Sequence, residues 1–476
     1  MPGVVLSKAA HLSRGRRAAF RILSSARERD RYARELASEV CAAMGLEARD
    51  AAFARRLALG ATAACGCLDD ALDRVLDDPR ALDPEVRDAL RIGAYELLYL
   101  KTPPQVAVSQ GVELARAASR GAAGLANAVL RRVAEDSVAF LDAGDVPERH
   151  RIAVSRARRA GLPTWLVRRI VDSLGDERAD ATLASQFEPA PIAVQVNPLR
   201  AEGAAVSLRG DGARPLGLPG SFAVERVAEL VRSGAFARAD VVASDYHAQL
   251  IAAAAVRPGS CLEVGAGRGT KTFMMMAHAR RREVDRVHIA LDLYEGKCRA
   301  NEQRVACSGL GSIKAVSGDA TDLDACLSGI DAEAGRPVLF DTVFVDAPCS
   351  GTGTMRRHGE IPWRLAPQAC DVELPGLQLA MLREAAGRVA AGGELVYATC
   401  SVLRAENQGA VDAFLASPEG EGFALAPLSG ALRGAGPAYG AAVWDLAACE
   451  DERGLFQSLP VCGGFDGHFC ARFVRV

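Results

Sequence analysis

Apolar positions recur at three- and four-residue spacing through residues 13–136, in Ala18, Phe20, Ile22 and Leu23 and again in Val86, Leu90, Ile92, Leu97 and Leu98. That spacing predicts a small helical bundle. Asp83-Pro84-Glu85 supplies one helix with a cap and a proline in its first turn, and Thr102-Pro103-Pro104 separates it from the next. Gly93 and Gly111 fall inside the helical pattern and are predicted to be points of close packing. From Ala243 onward the pattern changes. Short apolar runs rich in β-formers, each closed by a glycine or polar turn, alternate with helical stretches, which predicts a doubly wound parallel sheet. Residues 149–240 lie between the two. They hold Leu162-Pro163-Thr164-Trp165, the strand-like Ile192-Ala193-Val194-Gln195-Val196-Asn197-Pro198, and the turn clusters Arg209-Gly210-Asp211-Gly212 and Leu218-Pro219-Gly220. The expected organisation is a helical domain over 1–140, a linker and small α+β subdomain over 141–240, and an α/β domain over 241–476.

Composition narrows the setting. In a chain of 476 residues, thirteen cysteines form no CxxC pair and no framework, and Cys65-Gly66-Cys67 is too closely spaced to suggest zinc. No apolar run approaches the roughly 18 residues of a membrane span, and residues 1–12 lack a signal-peptide core. A cytoplasmic protein without membrane or metal partners is expected. Nothing in the sequence fixes an oligomeric state. The net charge of −2 is unevenly spread: nine Lys or Arg against two acids in residues 1–34, and seven Arg against one acid in residues 147–169. Two such clusters favour a polyanionic partner.

Candidate chemistry gathers at the ends of the apolar runs, where open α/β sheets place their sites. The first strand leads into Gly265-Ala266-Gly267-Arg268-Gly269-Thr270-Lys271-Thr272, glycines that let backbone approach a ligand at a helix start. The second, Val287-His288-Ile289-Ala290-Leu291-Asp292, ends in an acid placed to bind ribose hydroxyls. The third ends at Ser317-Gly318-Asp319, with a carboxylate suited to an adenine amino group. Gly, Asp and Asp on successive strand ends describe a nucleoside-cofactor site, and the lack of a P-loop lysine pattern favours S-adenosylmethionine over ATP. Two further runs, Phe340-Asp341-Thr342-Val343-Phe344-Val345 and Gly393-Glu394-Leu395-Val396-Tyr397, each deliver a cysteine just past the strand, in Asp346-Ala347-Pro348-Cys349-Ser350-Gly351-Thr352-Gly353 and Tyr397-Ala398-Thr399-Cys400-Ser401. If these strands are neighbours, their tips lie roughly 5 Å apart and two thiols face one substrate.

Leu90-Arg91-Ile92-Gly93-Ala94-Tyr95-Glu96-Leu97-Leu98, with Pro103-Pro104, Val112-Glu113-Leu114-Ala115 and Ala126-Asn127-Ala128-Val129-Leu130-Arg131-Arg132, resembles the NusB-like RNA-binding helical domain. The two cysteine turns, with Arg356-Arg357-His358, Glu406-Asn407 and the carboxyl-terminal Gly464-Phe465-Asp466-Gly467-His468-Phe469-Cys470, resemble the bacterial RNA cytosine-C5 methyltransferases of small-subunit ribosomal RNA. That resemblance covers nearly the whole chain. It implies S-adenosylmethionine held by Gly265, Ala266, Gly267, Arg268, Gly269, Thr270, Lys271, Asp292, Asp319 and Asp346. It also implies Cys400 as the nucleophile toward cytosine carbon 6, Asp346 on the cytosine edge, and Cys349 assisting release. The target base must be unpaired or flipped out. Arg356, Arg357, His358, Trp363 and Arg364 are expected on a loop over the cleft, the arginines on phosphate and the indole on a base. The glycine loop departs from the family's Ala-Ala-Pro-Gly-Gly-Lys-Thr pattern by losing the proline, which predicts a looser loop. Two other readings compete: a DNA cytosine methyltransferase, which would use Cys349 alone, and a non-catalytic RNA-binding assembly factor.

Overall fold

The helical pattern of the front half and the strand pattern of the back half both fold as their periods demand. The computed structural model describes residues 12–200, 208 and 212–476, so Lys8 of the basic cluster and most of the Arg209-Gly210-Asp211-Gly212 turn lie outside the described residues. The chain forms two compact units, one of Met1–Glu188 with Met355–Leu365, the other of Pro189–Thr354 with Ala366–Val476.

The first unit runs through ten α-helices among the described residues of its front segment, from Arg14–Arg29 to Asp176–Ala184, and adds the short helix Ile361–Arg364. Their apolar faces meet in a core that includes Phe20, Leu57, Leu90, Ile92, Leu114 and Leu130. Burial of each such side chain is worth about 1.5–3 kcal/mol. Asp83 caps helix Pro84–Leu98 by accepting from Glu85 N at 2.8 Å. Gly93 and Gly111 are close-packing positions: a Cβ on either would lie 2.9 or 2.4 Å from Leu130 Cδ1, and each glycine therefore admits the neighbouring helix.

The second unit contains two sheets. The smaller holds β1 (Ile192–Val196), β2 (Arg214–Pro215), β3 (Ser221–Val224) and β4 (Val241–Ala243) in the order β2-β3-β1-β4, all antiparallel. The larger holds β5 (Gly259–Val264), β6 (Arg286–Asp292), β7 (Lys314–Ser317), β8 (Phe340–Asp346), β9 (Val389–Thr399), β10 (Phe423–Ala426) and β12 (Phe469–Arg475) in the order β10-β12-β9-β8-β5-β6-β7, with β11 (Phe456–Gln457) paired to β12. Strands β5 to β9 are mutually parallel, and β12 enters antiparallel beside β9. The sheet is therefore mixed, and its parallel part carries the predicted strand ends. Both faces are buried: Phe344 and Val396 enter one core, Val343, Val345, Leu395 and Tyr397 the other, following the period of two.

Candidate active site

Parallel pairing sets the site. β5 lies between β6 and β8, and β8 lies beside β9 with Asp346 opposite Ala398, so the carboxyl ends of four adjacent strands converge. At the first end, Gly265, Gly267 and Gly269 all take positive φ, at 79°, 59° and 79°. A Cβ at Gly265 would lie 2.3 Å from the carbonyl oxygen of Asp346, and one at Gly269 would lie 1.9 Å from Asn301 Oδ1, whereas beside Gly267 there is open space. The loop is thus pressed against the sheet on one side and bare on the other, a cradle that fits a nucleoside cofactor.

The loop is bonded to the strand beside it. Gly265 N and Ala266 N both donate to Leu291 O, at 2.9 and 3.0 Å, and Gly267 N donates to Asp292 Oδ2 at 3.0 Å. These backbone bonds tie the first half of the loop to the end of β6. Behind the loop, buried Glu263 accepts from Thr272 Oγ1 at 2.6 Å and pairs with His288 Nε2 at 2.9 Å, and Asn301 Nδ2 donates to Thr272 Oγ1 at 2.9 Å. Burial holds His288 below its ordinary value, and so neutral.

Asp292 ends β6 and is buried, with Oδ1 accepting from Tyr294 N at 3.0 Å and an ion pair to Lys297 Nζ at 3.4 Å. Asp319 lies two residues beyond β7. Its Oδ1 accepts from Thr321 N and Oγ1 at 2.9 and 2.8 Å, bonds that hold its carboxyl below the usual range. Lys271 Nζ reaches Asp346 at 2.6 Å. Burial raises the Asp346 carboxyl and the ammonium opposes the rise.

The two cysteines meet. Cys349 Sγ and Cys400 Sγ are 3.3 Å apart, and Cys400 N donates to Cys349 Sγ at 3.3 Å. Their shared hydrogen bond is the leading cause that lowers the Cys400 thiol and raises the Cys349 thiol. Of the two, Cys400 is thereby the more readily ionised thiol and Cys349 the more firmly protonated one. Around them the turns are tied together: Gly353 N donates to Cys400 O at 2.8 Å, Asn407 Nδ2 to Ser401 O at 2.8 Å, and Gln378 Nε2 to Pro348 O at 2.9 Å. Gly353 has no room for a side chain, because its Cβ would meet Gly467 O at 2.2 Å. Ser350, Thr352, Gly353, Ser401, Glu406 and Asn407 lie within the motifs quoted from the sequence, but their supporting role, and Gln378 altogether, had no sign there. Their bonds join turns some 50 positions apart.

One expected group goes elsewhere. Trp363 Nε1 donates to Ala63 O at 2.7 Å within the first unit, and the ring fills the space beside Gly66, where a Cβ would lie 2.1 Å from it. Arg364 stacks over Tyr32 at 4.5 Å. The indole is an internal anchor, not a free platform for a base. The basic clusters are also largely engaged: Arg16 pairs with Glu96, Arg27 with Asp88, Arg156 with Asp176 and Asp180, Arg158 with Asp145 and Asp70, and Arg159 with Asp142. No group of three or more His, Cys, Asp or Glu among the described residues is placed to hold a metal, and no described helix is long and apolar enough to cross a membrane.

A sheet of this order with a glycine loop on its first strand and acids on the next two is that of a methyltransferase with the Rossmann-like fold. The same fold is seen in the crystal structure titled PH0851, at 22% identity, with a TM-score of 0.72 over 96% of this chain and 98% of that one. A methyltransferase homologue from Pyrococcus horikoshii shares it at 20% identity, with a TM-score of 0.52 over 68% and 99%. Residues 254–473 match the family 16S rRNA methyltransferase RsmB/F, and residues 13–135 match the NusB family. A ribosomal RNA small subunit methyltransferase B of Thermus thermophilus is 33% identical over 90% of this chain and 89% of its own length, and a putative methyltransferase of Mycobacterium tuberculosis, Rv1407, is 33% identical over 84% and 86%. The chain belongs to the 16S rRNA methyltransferase RsmB/F family, with a NusB domain at its front; its activity is S-adenosylmethionine-dependent methylation of ribosomal RNA.

Proposed function

We propose that the protein methylates carbon 5 of an unpaired or flipped-out cytosine in small-subunit ribosomal RNA, with Cys400 as the covalent nucleophile. The observation that carries this reading is the 3.3 Å contact between two thiols of opposite character at adjacent strand ends, beside the Lys271–Asp346 pair. Carbon 5 of cytosine is a poor nucleophile. Addition of the Cys400 thiolate to carbon 6 forms an S–C bond and turns carbon 5 into the carbon end of an enamine. S-adenosylmethionine, held by Gly265, Ala266, Gly267, Arg268, Gly269, Thr270, Lys271, Asp292, Asp319 and Asp346, supplies a methyl group on a sulfonium. Asp346, steadied by Lys271, orients the cytosine edge.

Release needs a base. Once Cys400 is bonded to carbon 6, the hydrogen bond that chiefly holds the proton on Cys349 is gone, and that proton passes to solvent. Cys349 then takes the proton from carbon 5, the electron pair re-forms the ring double bond, and the carbon 6–sulfur bond breaks to return the Cys400 thiolate. The net products are the methylated base, S-adenosylhomocysteine and one proton. With RNA and cofactor, Cys349→Ala should accumulate a protein–RNA adduct that survives denaturing electrophoresis. Cys400→Ala and the double variant should form none. Adduct in Cys400→Ala but not in Cys349→Ala would reverse the two roles and support the DNA-type mechanism.

A further inference from the structure

Beneath the two thiol turns lies a buried carboxylate that takes no part in methyl transfer or release. Glu406 is fully buried, and both its oxygens are held from one residue: Oε1 accepts from Ser350 N at 2.9 Å and Oε2 from Ser350 Oγ at 2.7 Å. Ser350 follows Cys349 in the chain. Its hydroxyl lies 3.2 Å from Ser401 Oγ, which follows Cys400, and Thr352 Oγ1 sits 3.1 Å from each. The ring is closed to the backbone, because Val402 N donates to Thr352 Oγ1 and Leu403 N to Ser401 Oγ, both at 3.0 Å. Tyr397 Oη donates to the Glu406 carbonyl at 2.6 Å and fixes the carboxylate's own backbone.

All of Glu406's side-chain partners are neutral. It has no cation partner among the described residues, an arrangement that is costly unless the charge has a use. The titratable groups facing the thiol pair are Lys271, Asp346, Tyr397 and Glu406. Asp346 raises and Lys271 lowers the Cys400 thiol, and buried Tyr397 stays neutral. Glu406 raises both thiols, but its carboxylate is bonded through both oxygens to Ser350, the residue after Cys349, so its charge weighs more on Cys349 and adds to the inequality that the shared thiol hydrogen bond sets up.

We propose that Glu406 is the positioning residue of the thiol pair: its buried carboxylate clamps both turns through Ser350 and Ser401 and polarises the pair so that Cys400 is presented as the nucleophile and Cys349 as its proton-bearing partner. The clamp and the polarisation are separable. Glu406→Gln keeps the shape and removes the charge, and Ser350→Ala removes one strut and leaves the carboxylate in place but less well held.

The assignment of roles rests on the reading of Cys400 as nucleophile, so the test is made on the full chain without RNA or cofactor. Iodoacetamide labelling of Cys349 and Cys400, followed by peptide mass spectrometry across pH, reads each thiolate directly. In the unsubstituted protein Cys400 should label at lower pH than Cys349. In Glu406→Gln the ratio of Cys349 to Cys400 labelling at neutral pH should rise by about threefold or more, because loss of the nearby charge favours the Cys349 thiolate. Ser350→Ala should move it in the same direction by less. A purely structural role would change both rates together and leave the ratio alone. An unchanged ratio in a folded Glu406→Gln protein, or in Ser350→Ala should Glu406→Gln not fold, overturns the proposal. A shifted ratio in a protein whose Cys349→Ala form accumulates no adduct rejects the proposed chemistry while the positioning role stands.

Discussion

Asp292 shows how much one side chain can be asked to do. It closes β6, accepts from the backbone of the glycine loop, accepts again from the start of the following helix, and pairs with Lys297. Its carboxylate has lone pairs left for ribose hydroxyls, bonds of the charge-assisted kind worth roughly 1.5–3 kcal/mol. Asp292→Ala should therefore weaken S-adenosylmethionine binding by about tenfold or more in calorimetric titration. Part of that loss comes from the loop, whose Gly267 N–H would be left without its acceptor. Asp292→Asn keeps an acceptor for the loop and should lose less. The glycines and acids that meet at the strand ends were legible in the sequence, because glycine at a positive φ and acids at strand ends have few other uses. Those behind them were not. Ser350, Ser401, Thr352 and Gln378 are ordinary polar residues until the fold joins strands 50 positions apart, and no local pattern records that meeting.

At the scale of elements, strand and helix existence followed from period, while edges and insertions did not. The run read as Gly393 to Tyr397 is an eleven-residue strand, Val389–Thr399, because Val389 pairs with Phe340 and the strand continues through an irregularity at residues 390–393 that no local pattern announces. The antiparallel β12 between β9 and β10 follows from topology alone. Charge misled in a similar way. The arginines of residues 147–169 look like a nucleic-acid face, yet three of them tie helix Glu148–Ala160 to its neighbours. Arg158 is the centre of this: it is 6% exposed, lies 4.1 Å over the Phe140 ring, and bonds Asp145, Asp70 and the carbonyl of Phe140. Removing it takes a cation from Asp70 and one of two from Asp145, which keeps Arg74, so Arg158→Ala should cost roughly 2 kcal/mol, less than a wholly buried pair because Asp145 is partly exposed and Asp70 exposed. The Asp145 carboxyl is held well below the usual range, mainly by Arg158. Its contribution is present above the unfolded aspartate value and is lost as pH falls through the folded one. The stability gap between the two proteins in denaturant titration should be full at neutral pH and narrow below about pH 4.

For the molecule as a whole, RNA affinity must come from cations that the fold leaves unpaired. Arg21 and Arg151 are exposed and have no acid or hydrogen-bond partner among the described residues. The double variant Arg21→Ala/Arg151→Ala should reduce the slope of log binding constant against log salt by roughly 0.7 for each phosphate that is no longer neutralised, read by filter binding or fluorescence anisotropy across salt. An unchanged slope would move the RNA path off these helices. A different consequence follows from Trp363. Its seat beside Gly66 and Ala63 is made of residues synthesised early, and the indole that fills it leaves the ribosome about 300 residues later. At roughly 5–20 residues per second that is a wait of about 15–60 s. During it the front helices fold around a gap whose plug has not yet been translated. The first-made part of this protein is finished only after more than half of the second unit has been translated, and before Cys400 has.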